Sequence, residues 1–164
     1  MKLWEKGIVP DPAIIEFTSG KDRETDKLLA EWDIIGSMAH VIMLHEVRLI
    51  SGEEKHDLLN SLHSLFRKAL KGDLVIGKEF EDIHSLLEKE LSDSLGPVGT
   101  KVHIGRSRND QVLLDIRLFT RSEIDNLAGK IFRLFNKLQS LSDQYKDVLL
   151  PGYTHMQPAM VSSC

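Results

Sequence analysis

The sequence predicts an all-α fold, in which a small helical domain is followed by the first long helix of a helical bundle. Apolar residues recur at helical spacing through most of the 164 residues, and no Asn-Gly hairpin signal or sustained polar/apolar alternation indicates a strand. In the second half of the chain, apolar positions lie alternately three and four residues apart, as in helices that pack side by side. We therefore expect residues 1–106 to form one domain and residues 107–164 to begin a second.

Three helices are predicted in the first domain, after an irregular opening that contains two prolines. They span residues 26–50, 51–72 and 80–95. Ser51 and Glu54 have the spacing of a capping box, in which each side chain accepts the other residue's backbone N–H. Gly72 is the expected end of the second helix, because glycine readily adopts the left-handed conformation that follows a helix.

One long helix is predicted from about Ser107 to Leu149, and Pro151 ends it. The apolar seam of this helix comprises Ile124, Leu127, Ile131, Leu134, Leu138, Leu141, Tyr145 and Val148. At about 1.5 Å per residue the helix is on the order of 60 Å long. The first 105 residues cannot cover such a seam, so we expect partner helices outside this chain, and a further helix starting near its end.

Composition disfavours several classes of function. The chain has 21 Lys and Arg residues against 25 Asp and Glu, and the net charge of −4 disfavours general binding to nucleic acids or anionic membranes. Neither a membrane-spanning run nor the apolar core of a signal peptide is present in the sequence. With Cys164 as its single cysteine it has no intrachain disulfide, and we expect a cytoplasmic protein.

A glycine-containing turn, residues 105–111, leads directly into the long helix. Ser107 or Asn109 can cap that helix, and its first N–H groups lie beside the guanidinium groups of Arg106 and Arg108. This combination suits a carboxylate or a phosphate. The alternative interpretation is an ordinary capped helix start with two solvated arginines.

Two further polar clusters contain a histidine. Residues 151–158 present Thr154, His155 and Gln157 between two prolines, and an imidazole there suits acid–base chemistry near neutral pH. A simple surface turn is the alternative. The second cluster contains His84 and begins the third helix, where its acidic residues are sufficiently explained by helix capping. Because the sequence has neither a His-x3-His pair nor a cysteine pair, we expect no metal site.

Taken together, the motifs at residues 105–111, 151–157 and 81–84 closely resemble those of the argininosuccinate lyase family, in the fumarase/aspartase superfamily that also contains the delta-crystallins. Residues 3–4 and 33–37 match this family as well. The resemblance implies a helical-bundle enzyme of arginine biosynthesis that eliminates fumarate from argininosuccinate to give arginine. It also implies that no cofactor is needed, and that the enzyme is a cytoplasmic homotetramer whose active sites combine three subunits.

The resemblance assigns roles to individual residues. His155 is implied to be the catalytic histidine, either as the base itself or by acting through a serine. The residues implied to bind substrate are Asn109, Thr154, Ser107, Arg108, Gln157, His84 and Ser19. Of these, Ser19 is the candidate for a substrate-binding serine near the N-terminus, although residues 17–22 differ in length from the family pattern.

One family motif is missing from these residues, the Gly-Ser-Ser-x-Met-Pro-x-Lys loop that carries a catalytic serine. We therefore expect the chain to be an incomplete, inactive portion of the enzyme. Three alternatives remain open: another lyase of the superfamily, such as adenylosuccinate lyase, fumarase or aspartase; a crystallin-like protein without catalysis; and a helical module that binds partner helices.

Overall fold

The computed structural model describes most of the chain, and it divides into two compact units, Met1–Thr120 and Arg121–Cys164. The described residues are 11, 14, 17, 22–77, 80 and 82–163. The predicted all-α class is confirmed, because helices dominate and the described strands form a single two-stranded sheet. The domain boundary expected after residue 106 stays a prediction.

The described part of the chain contains five α-helices, one 3-10 helix and two strands. They are α1 (Asp22–Asp26), α2 (Ala30–Glu46), α3 (Gly52–Leu70), α4 (Ile83–Leu95), the 3-10 helix (Gly96–His103), α5 (Arg108–Tyr145), β1 (Leu149–Thr154) and β2 (Gln157–Ser163). Residues 96–103 carried no helical signal in the sequence, so the 3-10 helix was not expected.

The core of the first unit lies between α2, α3, α4 and the 3-10 helix. Leu58, Leu62 and Leu65 recur at helical spacing on α3 and face this core, as Ile34 and Leu91 do from α2 and α4. Each fully buried leucine or isoleucine contributes roughly 1.5–3 kcal/mol through removal of its side chain from water. Apolar burial therefore fixes how the three helices pack.

Helix α2 is shorter than the predicted helix over 26–50, and its end has an identifiable cause. Arg48 has a φ of 62°, and the N–H of Leu49 donates to the carbonyl of Leu44 at 2.9 Å. This is the Schellman arrangement that ends many helices, here with arginine where glycine is usual. The next helix begins soon afterwards with the predicted capping box, which is confirmed by Ser51 and Glu54 at 2.9 and 3.1 Å.

The end of α3 is also confirmed at the predicted glycine. Gly72 has a φ of 74° and its N–H donates to the carbonyl of Ala69 at 2.9 Å. The N–H of Asp73 donates to the carbonyl of Lys68, also at 2.9 Å, which completes a second Schellman arrangement. Two successive helices thus end in the same way, one with glycine and one with arginine in the left-handed position.

The second unit contains residues 121–145 of α5 and the two strands. Helix α5 ends at Tyr145, a few residues before the predicted end at Leu149. Most of its predicted apolar seam is exposed within this unit, and Leu141 is half-buried. Ile124, Leu127, Ile131, Leu134 and Leu138 are between 57% and 60% exposed.

The hairpin contradicts two expectations, that the chain has no strands and that a helix begins near its end. Strands β1 and β2 pair antiparallel, and His155 and Met156 form the two-residue turn with φ values of 47° and 61°. Two positive φ values are typical of the type I′ turn, which usually contains Asn or Gly, so the sequence carried no turn signal. The prolines are tolerated because a two-stranded sheet has only edge strands.

We expect the substitution Arg48→Gly to raise the free energy of unfolding of this chain by about 0.5–1 kcal/mol, because glycine removes the Cβ conflict at positive φ. Arg48→Ala is the matched control, since it removes the same guanidinium but keeps the Cβ atom. Urea unfolding followed by circular dichroism measures both variants. A glycine variant no more stable than the alanine variant would contradict strain at this position.

Candidate functional site

The polar side chains of interest fall into two groups in the first unit and one in the second. A buried cluster surrounds His84, and the turn at residues 105–111 lies at the start of α5. The second unit carries His155 at the tip of its hairpin. Each group is built differently.

The buried cluster is centred on an ion pair between helices α2 and α4. Nδ1 of His84 lies 2.9 Å from Oδ2 of Asp33, and the two side chains are only 3% and 1% exposed. Burial opposes protonation of the imidazole, but the hydrogen bond and charge of Asp33 outweigh it and raise the pKa of His84. Asp33 therefore favours the protonated form of the His84 imidazole.

A second buried carboxylate joins this pair from α5. Asp115 is 1% exposed, and neither of its oxygens has a hydrogen-bond partner among the described residues. Burial, reinforced by the charge of Asp33, raises the pKa of Asp115 to about 7, although His84 and Arg106 act in the opposite direction. Asp115 is thus a carboxyl group whose charge changes near neutral pH.

The first turns of α5 are held closely against α2. Nε2 of Gln111 donates to Oδ1 of Asp33 at 3.4 Å, and Gln111 is itself buried. Gly36 on α2 permits α5 to approach closely, because a Cβ atom at this position would lie 2.8 Å from Cδ2 of Leu114. A side chain there would push either Leu114 or the helix away from Asp33.

Asp33, His84 and Asp115 are the one group in the described part of the chain that could offer three ligands to a metal ion, since their donor atoms lie within 4.8 Å of one another. Two features argue against that use. The imidazole already donates from Nδ1 to Asp33, and the guanidinium of Arg106 lies close enough to influence both carboxyl groups. The cluster therefore suits a proton better than a metal ion.

The turn at the start of α5 is capped by Ser107. Its backbone N–H and its hydroxyl donate to Oδ2 of Asp110 at 2.9 and 2.8 Å, and the N–H of Asp110 returns a hydrogen bond to Oγ of Ser107 at 3.3 Å. The backbone and side-chain bonds from Ser107 lower the pKa of Asp110. Ser107 is therefore engaged in the helix cap, and Asn109 is the exposed amide beside it.

The two arginines of this turn are not simply solvated, as the alternative interpretation supposed. Nη2 of Arg106 donates to Oγ of Ser37 at 2.8 Å. Nη2 of Arg108 donates to Oγ of Ser85 at 3.0 Å, and its Nη1 lies 3.3 Å from Oδ1 of Asp82. These contacts tie the turn to α2 and to the first turn of α4, so both guanidinium groups have defined positions.

The hairpin holds the remaining predicted site residues. Thr154 and Gln157 are paired across the two strands and flank the turn, and His155 lies at its first position with a φ of 47°. All three are exposed. Ser19 lies outside the described residues.

The structure therefore brings Ser107, Arg108 and Asn109 together at one helix end, with His84 buried behind Ser85. Sequence reasoning assigned no role to Asp33, Gln111 and Asp115. A signal for Asp115 was present, since it is an acid in the apolar run Val112-Leu113-Leu114-Asp115-Ile116. An acid in such a run is a candidate for a buried carboxyl group.

We expect Asp33→Ala to lower the free energy of unfolding by about 3 kcal/mol, because it leaves the imidazole of His84 buried without its carboxylate. Asp93→Ala is the control, since Asp93 is exposed and its pair with Lys89 contributes at most about 1 kcal/mol. Urea unfolding near pH 6 measures both variants. An equal decrease in the free energy of unfolding of the two variants would show that the buried pair does not hold α2 and α4 together.

Within the described ranges, none of the helices is both long and apolar enough to cross a membrane.

Comparison with known proteins places the chain in a family. The family described as "Lyase" matches residues 9–162. The argininosuccinate lyase of Parabacteroides distasonis is 51% identical over 162 residues, which are 99% of this chain and 36% of that protein. The corresponding protein of Phocaeicola vulgatus is 50% identical over the same shares of both chains. That of Caldicellulosiruptor bescii is 42% identical over 97% of this chain and 34% of its own length.

The chain spans about a third of the length of the curated relatives it matches. The resemblance to argininosuccinate lyases that the motifs indicated is confirmed by this similarity, which extends over nearly all of the chain. Since the family match covers residues 9–162, the chain belongs to the lyase family.

Proposed function

We propose that this chain supplies part of an argininosuccinate lyase, the enzyme that eliminates fumarate from argininosuccinate and leaves arginine. The observation that carries the proposal is the identity of 51% and 50% to two proteins of that name over 99% of the chain. The contacts of the turn at residues 105–111 support it. A crystallin-like protein, another lyase of the superfamily and a helical interaction module stay as alternatives.

The start of α5 is suited to a substrate rich in carboxylates. The N-terminus of a helix carries a partial positive charge, and Arg106 and Arg108 add two full charges held by Ser37, Asp82 and Ser85. Asn109 offers an exposed amide, with both a donor and an acceptor, at the same end. We therefore propose Ser107, Arg108 and Asn109 for binding the substrate.

The proposed chemistry is the loss of a proton followed by the loss of the guanidino group. A base takes a proton from the carbon beside a carboxylate, and the electron pair spreads into that carboxylate. The electron pair then returns to form the carbon–carbon double bond of fumarate as the C–N bond breaks, and an acid gives a proton to the departing guanidino nitrogen, which leaves as arginine. Donors placed in advance around the developing charge lower the barrier, and a titratable side chain moves the proton.

His155 is the residue that we propose for this proton transfer, either directly or through a serine supplied by another segment. It is exposed at the tip of the hairpin, with Thr154 and Gln157 on either side as further substrate contacts. An imidazole can both accept and donate a proton, which suits removal and return of a proton. Ser19 stays a candidate for an additional contact.

For His84 we propose an indirect role in substrate binding, through the residues beside it. Its imidazole is 3% exposed and bound to Asp33, while the adjacent Ser85 and the helix cap Asp82 hold Arg108. We therefore propose that His84 positions Arg108 by fixing the first turn of α4. This gives it a supporting place in binding the substrate.

A cytoplasmic homotetramer belongs to the same proposal. Within the second unit, the exposed seam of α5 supports self-association, because apolar patches beyond a few hundred Å² are uncommon on soluble monomers. Partner helices that pack side by side along the seam would bury it. Active sites formed by several subunits would then explain why a chain of this length is not expected to act alone.

We expect this chain alone to release no fumarate from argininosuccinate, and a chimera to do so. In the chimera the chain replaces the matching 162 residues of the Parabacteroides distasonis protein. Fumarate is followed by its ultraviolet absorbance, and gel filtration reports assembly. A folded, assembled chimera that acts on adenylosuccinate, or on no substrate of the superfamily, would contradict the proposed function.

We expect His155→Asn in that chimera to lower kcat by about 10²–10⁴, with a much smaller change in KM, because the imidazole acts on a proton in the transition state. His63→Asn is the matched control, since His63 is an exposed histidine on α3. Steady-state kinetics of both variants decide the point. Turnover near that of the unmodified chimera would exclude a catalytic role for His155.

A further inference from the structure

One buried group has no part in the proposed reaction. The carboxyl group of Asp115 is 1% exposed and has no hydrogen-bond partner among the described residues. Such a group costs free energy unless it finds a partner or carries a proton. The group lies where α5 meets the ion pair of α2 and α4, so its charge bears on three helices at once.

We propose that Asp33, His84 and Asp115 form a proton-sensitive switch, in which release of one proton rearranges the turn at residues 105–111. The three side chains come from α2, α4 and α5, and their polar atoms lie within 4.8 Å of one another. The inference depends on the packing of the first unit alone, and it stands whether or not the complete protein is a lyase.

The charges around the cluster show why one proton matters. Full ionisation of Asp33 and Asp115 places two negative charges together in a buried environment, which is unfavourable even beside an imidazolium. The groups whose charges act on the cluster are Asp26 from α1, Asp33 from α2, Asp82 and His84 from α4, and Arg106 and Arg108 from the turn and α5. Three of these are carboxylates and only the two arginines are permanently positive.

Arg106 connects the cluster to the turn. Its Nη2 donates to Ser37, while its Nε–H is buried without a hydrogen-bond partner among the described residues. A newly ionised Asp115 attracts this guanidinium, and the nearby Gln111 is already bound to Asp33. Movement of Arg106 toward Asp115 would therefore shift the backbone of the turn that precedes α5.

The sign of the pH effect on stability follows from the two pKa shifts. Asp115 has an ordinary pKa of 3.8 when unfolded and about 7 when folded, so the folded state holds its proton over that interval and loses stability as pH rises through it. The pKa of His84 is also raised on folding, so its contribution is full below the ordinary value of 6.5 and is lost as pH rises through the folded value. Both groups make the first unit less stable in mild alkali than in mild acid.

The test uses this chain and two variants. We expect its melting temperature to fall by roughly 5–10 °C between about pH 5.5 and about pH 8.5, and the backbone amide signals of residues 105–111 to shift over the same interval. Asp115→Asn keeps the shape of the protonated acid but cannot ionise. Most of the fall in melting temperature and most of the pH-dependent shift of the amide signals should therefore disappear. Asp93→Asn is the control. Because Asp93 is exposed, this variant should keep both the fall in melting temperature and the shift of the amide signals.

A direct titration keeps the proposal testable if Asp115→Asn fails to fold. The carboxyl carbon of Asp115 in the unmodified chain, followed by NMR, should report a pKa of about 7 and titrate together with the amides of the turn. Titration in the ordinary acid range would overturn the proposal. So would amide shifts at residues 105–111 that are the same in Asp115→Asn as in the unmodified chain.

Discussion

The hydrogen-bonded ion pair between Asp33 and His84 is the contact on which the rest of the first unit depends. It joins α2 to α4 in the interior, and Gln111 and Asp115 attach the first turns of α5 to it. A buried pair of this kind gives little net stability by itself, but losing one partner leaves an uncompensated polar group. Apolar burial packs the helices, and the pair adds a specific polar link between α2 and α4 to which α5 is attached.

The two arginines of the turn at residues 105–111 connect this turn to the helices that carry the buried pair. Arg106 is held by Ser37 one helical turn after Asp33, and Arg108 by Ser85 directly after His84. A serine close to each residue of the buried pair thus holds one guanidinium group in position. Because arginine has many rotamers in solution, fixing both before a ligand arrives lowers the entropy that binding would otherwise cost.

Local signals in the sequence predicted local structure well, and contacts between distant residues escaped them. The capping box at Ser51 and the glycine at Gly72 depend only on neighbours, so both were predictable. The contact of Asp33 with Gln111 joins residues 78 positions apart, and no periodicity encodes it. The hairpin was missed because its His155–Met156 turn has positive φ values without glycine or asparagine. The roles of individual site residues came from motifs of the family and not from spacing.

The close packing allowed by Gly36 has a consequence for the order in which the protein is made. Asp33 and Gly36 leave the ribosome well before Gln111 and Leu114, the residues of α5 that they contact. Since a domain generally folds as a unit, the interior around Asp33 cannot be completed until this part of α5 has left the exit tunnel. Until then α2 lacks the side chain of Leu114 that packs beside Gly36.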